Sequence, residues 1–427
     1  VLAPRLQALM PSLRRLGRTG AFWTSASVLA LVLWSSGAPS VLYPIYAQKW
    51  ELSSAVVTLV FASYQLALIV VLPLFGNLSD QFGRRLVMIW GVALIAASAI
   101  VFAIAPNVAF LFLGRVLQGA GSGLAMGAAT ASLVENNMTG NSRLASSLAT
   151  VSTAAGLTLA LVFSGVLARF APMPLFWSYI LLLALTVIAI ITLALTPHDR
   201  PTHTHRWRPQ APRLLPELRL SFSIATLSVA LAYCAGAIFL SLGAHMIGQF
   251  AGTSDAALAG LLLGCSSATI GVTGLFLSRL RPHVSLLVGT LLTIVSLALM
   301  AAAAAFGSIG LFLAWCIVGG VAYSFTFTGG LGVINQAAPV RHRGSTLCLL
   351  YLVAYTLQAA TAIGMGALAT ASTLGTAVGV AAATITGFCL VVLVLSFVDA
   401  RARRRKSKSS TSQVERVEHS PCPQAPN

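Results

Sequence analysis

Long apolar runs recur along this chain, each about as long as a membrane-crossing helix and each closed by a short polar or basic stretch. A spanning helix needs about 20 mostly apolar residues to cross about 30 Å of hydrocarbon. Runs of that kind lie at 22–46, 53–76, 86–105, 108–133, 144–169, 174–196, 220–247, 256–278, 284–306, 309–334, 344–369 and 374–398. They are too long and too continuously apolar for barrel strands, which alternate apolar and polar positions over about 10 residues. The pattern predicts an all-α integral membrane protein with 12 transmembrane helices.

The runs fall into two sets of six. The first and seventh begin near 22 and 220, an offset of 198. The same offset relates Gly76, after the second run, to Gly274, near the end of the eighth. Gly119 and Gly319, and Arg143 and Arg343, are offset by 200. Two pseudo-symmetric six-helix bundles are therefore expected, at 22–196 and 220–398, with a cleft between them. Residues 1–21 read as a cytoplasmic N-terminal extension and 197–219 as a flexible cytoplasmic linker rich in Pro, Arg and His. Residues 399–427 read as a basic, disordered cytoplasmic tail.

Composition agrees with membrane burial. The 427 residues are 57% hydrophobic and 8% charged, against about 25% charged in a soluble protein. So little charge cannot cover a water-facing surface, which excludes a cytosolic enzyme, a secreted domain and a disordered regulator. A net charge of +17 could suggest nucleic acid, but the cations cluster between apolar runs. Of 26 Lys and Arg, 23 fall on one side of the predicted topology; Lys49 and Arg169 fall on the other, and Arg115 lies inside a run. Positively charged loops face the cytoplasm, so both termini are expected there and the chain in the cytoplasmic membrane. The six cysteines form no Cys-x-x-Cys pair, and no metal site is expected. No Gly-x-x-x-x-Gly-Lys-Ser/Thr loop is present, so ATP does not drive the protein directly.

Three groups of residues stand out. The first is the loop Gly76-x-Leu78-x-Asp80-x-x-Gly83-Arg84-Arg85. Its glycines permit a tight turn and close helix approach. Asp80 can accept from Arg84, and Arg84 can pair with a further carboxylate. Such a cluster can break and re-form as two bundles rock. The second is Arg115-x-x-Gln118-Gly119-x-Gly121-Ser122-Gly123 in the fourth run. Arg115 is about 12 Å deep at 1.5 Å per residue, and a charge at that depth should face protein or a wet cavity. Gln118 and Ser122 share its helix face. The third is a set of polar and aromatic positions at helical spacing. Ser36, Ser40 and Tyr43 share a face of the first run, which Pro39 and Pro44 should break; Tyr64 and Gln65 lie midway along the second. Tyr233 is in the seventh, Tyr323 and Phe327 share a face of the tenth, and Tyr351, Tyr355 and Gln358 share one of the eleventh. Tyrosine offers an apolar body with one polar tip, which suits amphipathic ligands. No Asp or Glu lies deep in a run, so no proton-carrying carboxylate is visible.

The loop at 76–85 resembles the signature between the second and third helices of the major facilitator superfamily. The segment 115–123 resembles that superfamily's fourth-helix Arg motif, and the likeness covers about 22–398. It implies a secondary transporter working by alternating access, with Gly76, Asp80, Gly83, Arg84 and Arg85 as conformational gate. It further implies no catalytic residues and no cofactor, with a proton gradient as the energy source. The partners it implies are a small-molecule substrate and the lipid bilayer, with no nucleic acid, and the expected unit is a monomer. Both motifs look like those of the twelve-span drug-efflux branch, which points to export of amphipathic organic compounds through a cavity lined by the third group. The fifth run departs from the antiporter pattern: Ala160 and Leu161 stand where Gly and Pro would be expected. Two alternatives remain open: uptake of a small organic anion with Arg115 as carboxylate clamp, and a non-transporting membrane sensor or scaffold. In the export reading Arg115 is a brace or a proton-linked group.

Overall fold

The structure is a computed structural model that describes residues 16–76, 78–139, 142–197, 216–250, 252, 255–277, 280–339 and 343–418. Most of the expected N-terminal extension and linker, and the far end of the tail, lie outside the described residues, as do Ser278, Arg279 and the side chains of Arg143 and Arg343.

Among the described residues, twelve helices are long and apolar enough to cross a membrane. They are α1 (Arg18–Trp50), α2 (Ser54–Phe75), α3 (Arg84–Ala103), α4 (Val108–Glu135), α5 (Ser142–Phe170) and α6 (Pro174–Leu195). The second six are α7 (Arg219–Phe250), α8 (Ala256–Leu277), α9 (Pro282–Phe306), α10 (Ile309–Ala337), α11 (Arg343–Ala371) and α12 (Leu374–Glu418). No strand occurs among the described residues. Local sequence explains several starts. Ser53, Asn107 and Ser308 accept from the first-turn N–H groups of α2, α4 and α10, and Pro174 and Pro282 open α6 and α9.

Two expectations need correction. The helix α1 is not broken by Pro39 and Pro44 but runs through both. Each proline lacks an N–H, so a carbonyl one turn earlier loses its helical donor. In a membrane span such a turn can be kept within the helix; the carbonyls freed here are those of Ser35 and Ser40. Second, α12 continues as helix to Glu418, through residues expected to be disordered. Arg, Lys, Gln and Glu are good helix formers, and the apolar span supplies the nucleus from which the helix propagates.

The six helices on each side enclose their own apolar cores. Val28, Phe61, Ile95 and Leu182 belong to the first; Leu263, Met300 and Trp315, with the neighbouring cluster of Ile224, Leu286 and Leu350, fill the second. The halves meet chiefly through two helix pairs, α5 with α8 and α2 with α11. Advancing each number by six carries one pair into the other, so the seam has the pseudo-symmetry of the fold. At the end away from the 76–85 loop the seam is tight. The backbone N–H of Ala55 donates to Thr370 Oγ1 at 2.9 Å. Gly165 and Gly260 press backbone to backbone, where a Cβ on Gly260 would stand 2.5 Å from the Leu161 carbonyl. Arg169 donates to Asp255 across the same pair.

Candidate functional site

The loop at 76–85 folds as a one-turn helix, Leu78–Phe82, between α2 and α3. Gly83 adopts φ 88°, ψ 149°, a conformation that a Cβ would strain. Gly76 has ordinary helical angles, so among the described residues of the turn only Gly83 needs a glycine's conformation. Arg84 Nη1 donates to Asp80 Oδ1 and to Ser79 Oγ, both at 2.5 Å. Its other edge reaches Glu135 Oε1, at 3.3 Å from Nε and 3.2 Å from Nη2. Arg85 donates to the Ala194 carbonyl at 2.7 Å, and Arg18 to the Glu135 carbonyl at 3.0 Å. One arginine thus ties the start of α3 to the loop and to the end of α4. The partners of Arg84 among the described residues all come from the first six helices. Glu135 was not singled out by sequence, because 51 residues separate it from Arg84; its place as the acid ending α4 was the available signal.

Arg115 is 0% exposed, although it sits in the middle of an apolar run. The close packing of α4 against α2 makes room for it: a Cβ on Gly119 would stand 2.4 Å from the Tyr64 carbonyl. Arg115 Nε donates to Tyr43 Oη at 2.8 Å, and Nη2 donates to the same oxygen. Nη1 donates to the Ser36 carbonyl at 3.0 Å and to Gln118 Oε1 at 3.2 Å. The rings of Tyr43, Phe61 and Tyr64 surround the guanidinium at 5.4, 5.8 and 5.8 Å. The hydroxyl of Tyr64 neighbours Ser36 and Ser122. Every partner of this buried cation is neutral. Removing an ion from water costs several kcal/mol, and each ring face returns about 0.5–2 kcal/mol. The site is satisfied in hydrogen bonds at the guanidinium but lacks an opposite charge. Two nearby buried groups, Gln118 Nε2 and Ser40 Oγ, have no partner among the described residues.

The second half brings together the predicted tyrosines. Tyr233 on α7 lies with its ring centroid 5.0 Å from Tyr355, 6.0 Å from Phe327, 6.4 Å from Tyr323 and 6.5 Å from Tyr351. Tyr323, Tyr351 and Tyr355 are deep within protein yet each keeps partly exposed surface. A side chain surrounded by protein and still accessible lines an internal space. Tyr64 on α2 and Tyr355 on α11 lie on a helix pair that packs across the seam, so the two groups border the same central region. Gln358 is buried one turn further along, with Oε1 unpartnered among the described residues. Gln65 behaves differently: its amide turns back toward the Phe61 and Ala62 carbonyls of its own helix. In α5, Ala160 and Leu161 are fully buried and the helix is unbroken.

Comparison with known proteins places this arrangement. The family model described as Major Facilitator Superfamily matches residues 25–360. The lincomycin resistance protein of Streptomyces lincolnensis is 27% identical over 155 residues, 36% of this chain and 31% of its own length. The quinolone resistance protein NorA of Staphylococcus aureus is 30% identical over 83 residues, 19% of this chain and 21% of its own. The matches thus span less than a third of either relative. Among solved structures, a bacterial homolog of the human lysosomal transporter Spinster, inward-facing and unoccupied, superposes with TM-score 0.73 at 14% identity. It covers 90% of this chain and 97% of its own. The nucleoside transporter NupG does so with TM-score 0.71 at 15% identity, covering 88% and 99%. At such identities the likeness is one of fold. With the family model matched over most of this chain, the chain belongs to the major facilitator superfamily.

Proposed function

We propose that the protein exports amphipathic organic compounds across the cytoplasmic membrane by alternating access, using the proton gradient. The observation that carries this reading is the central space bordered by tyrosines that are deep yet accessible. No carboxylate lies in the middle of a span, so the space binds by ring faces and hydroxyl tips. The two resistance proteins that match part of the chain support export over uptake. The Lys and Arg asymmetry supports a cytoplasmic position for the 76–85 loop and both termini. The tight end of the seam then faces outward, and the state is closed to the outside. The cluster of Asp80, Arg84 and Glu135, formed within the first half in this state, is the switch, and it exchanges partners as the halves rock.

Purified protein in proteoliposomes tests the reading. An imposed pH gradient should drive amphipathic dyes against their concentration gradient, and collapsing it should abolish accumulation. Flux that ignores the gradient would leave a facilitator. A periplasmic reporter fused after Asn427 should be inactive; an active one overturns the topology.

A further inference from the structure

The rings of the second half are ordered in a way that a merely apolar lining would not need. Tyr233 lies 11° from the plane of Phe327 and 16° from that of Tyr323, and Tyr323 lies 22° from Phe327. The three centroids are 5.9–6.4 Å apart. Spacing explains the order: Tyr323 and Phe327 are four residues apart on one face of α10, and α7, which carries Tyr233, packs against that helix. Tyr323 and Phe327 keep accessible surface. Gly236, one turn beyond Tyr233, is accessible too, and among the described residues a Cβ there would meet only the Tyr323 ring, at 3.4 Å. Gly260 on the seam has backbone pressed against it, whereas Gly236 has none. Glycine weakens a helix relative to alanine, and close packing does not require it at 236. What Gly236 does is leave room beside three aligned rings.

We propose that Tyr233, Tyr323, Phe327 and Gly236 form a slot for cargo that is an uncharged, planar, fused aromatic ring system. This names the substrate class of the central space and rests on the reading of that space as the transport site. Aligned ring faces match a flat ring lying parallel to them, whereas a puckered ring meets them through a few hydrogens. Charge decides between neutral and cationic cargo. Ring faces attract cations, but a cation taken out of water also needs an opposite charge close by. No Asp or Glu lies in the interior of a span, and the one Lys or Arg there, Arg115, is a cation with neutral partners. A second positive charge would add to one already unmatched, so flat neutral molecules are retained and flat cations are refused.

Two matched pairs of probes test shape and charge separately. 2-Naphthol and decahydro-2-naphthol share a skeleton and a hydroxyl but differ in planarity. Quinoline and N-methylquinolinium share a plane but differ in charge. Full-length protein in detergent would be titrated with each at neutral pH, with binding to empty micelles subtracted. Wild type should bind 2-naphthol about fivefold more tightly than its decahydro form, as aromatic contacts require, and quinoline about tenfold more tightly than N-methylquinolinium. Gly236→Leu puts a side chain into the gap and should weaken 2-naphthol and quinoline about tenfold by displacing them from the rings. Gly236→Ala, which favours the helix, should weaken both severalfold and carries the test should Gly236→Leu not fold, as judged by melting temperature. Equal binding of 2-naphthol and decahydro-2-naphthol, or wild-type affinity for 2-naphthol in a folded Gly236 variant, overturns the slot and leaves the transport reading standing. Equal binding of quinoline and N-methylquinolinium overturns the restriction to neutral cargo. Binding of none of the four by wild type overturns both the slot and the transport site.

Discussion

The two halves share a fold and divide its chemistry. The first carries the ionic parts: the Arg84 cluster at one membrane face and Arg115 in the interior, each held by named polar partners. The second answers with rings, and where the first has a guanidinium between α1 and α4 it has Tyr233 between α10 and α11. Charge is sensitive to water and to its partners' positions, so it suits a part that must switch. Ring faces hold many shapes with little directionality, so they suit a part that must accommodate.

That division can be broken most severely at the switch. Asp80→Asn or Arg84→Ala should reduce transport at least tenfold while substrate binding and membrane insertion persist, measured by dye flux beside equilibrium binding. A variant of either kind with wild-type turnover would remove the gate from the first half. Glu135→Gln should cost less, severalfold in flux, because Arg84 keeps Asp80. Arg115→Ala leaves Tyr43 Oη, the Ser36 carbonyl and Gln118 Oε1 without their donor, and buried unpaired groups cost about 1–3 kcal/mol each. Its melting temperature should fall accordingly. On the aromatic side Tyr355→Ala should weaken amphipathic ligands by about 2–10-fold, matching about 0.5–1.5 kcal/mol for an aromatic contact, and Tyr355→Phe by less. Should Tyr355→Ala instead stop turnover with affinity intact, the second half would share the switch. The smallest effect belongs to Asp255→Asn. Arg169 and Asp255 keep half and about a quarter of their side-chain surface exposed, and such pairs contribute roughly 0–1 kcal/mol. The change should be detectable only at low salt, as a shift in the fraction of molecules closed on that side.

Much of the architecture was legible because a span is long, apolar and continuous; all 12 runs became helices, and all but α12 end within a few residues of the expected bounds. Helix-face logic also found Gln118 beside Arg115 and the ring partners along α11, since both are set by 3.6-residue periodicity. What sequence did not reveal is pairing across distance. The bond of Arg84 to Glu135 and the ion pair of Arg169 with Asp255 join residues 51 and 86 positions apart. The Ser36 carbonyl was hidden for another reason: every residue has one, and nothing in the side-chain pattern marks the one that Arg115 meets. The helix of α12 runs on to Glu418, which composition did not reveal because it says little about whether a preceding helix will propagate.

The glycine contacts along the seam have a kinetic consequence. Gly165 on Gly260, and Gly366 against Ser54 and Thr58, put bare backbone where most helix pairs interlock side chains. Interlocked ridges must change rotamers to part, whereas smooth backbone can roll or slide without doing so. Few polar bonds bridge these crossings, chiefly Ala55 to Thr370 and Arg169 to Asp255. The seam therefore resembles a zip with few teeth. Substitutions in it should set how often the molecule opens per second, and leave how tightly it holds its cargo to residues deeper inside.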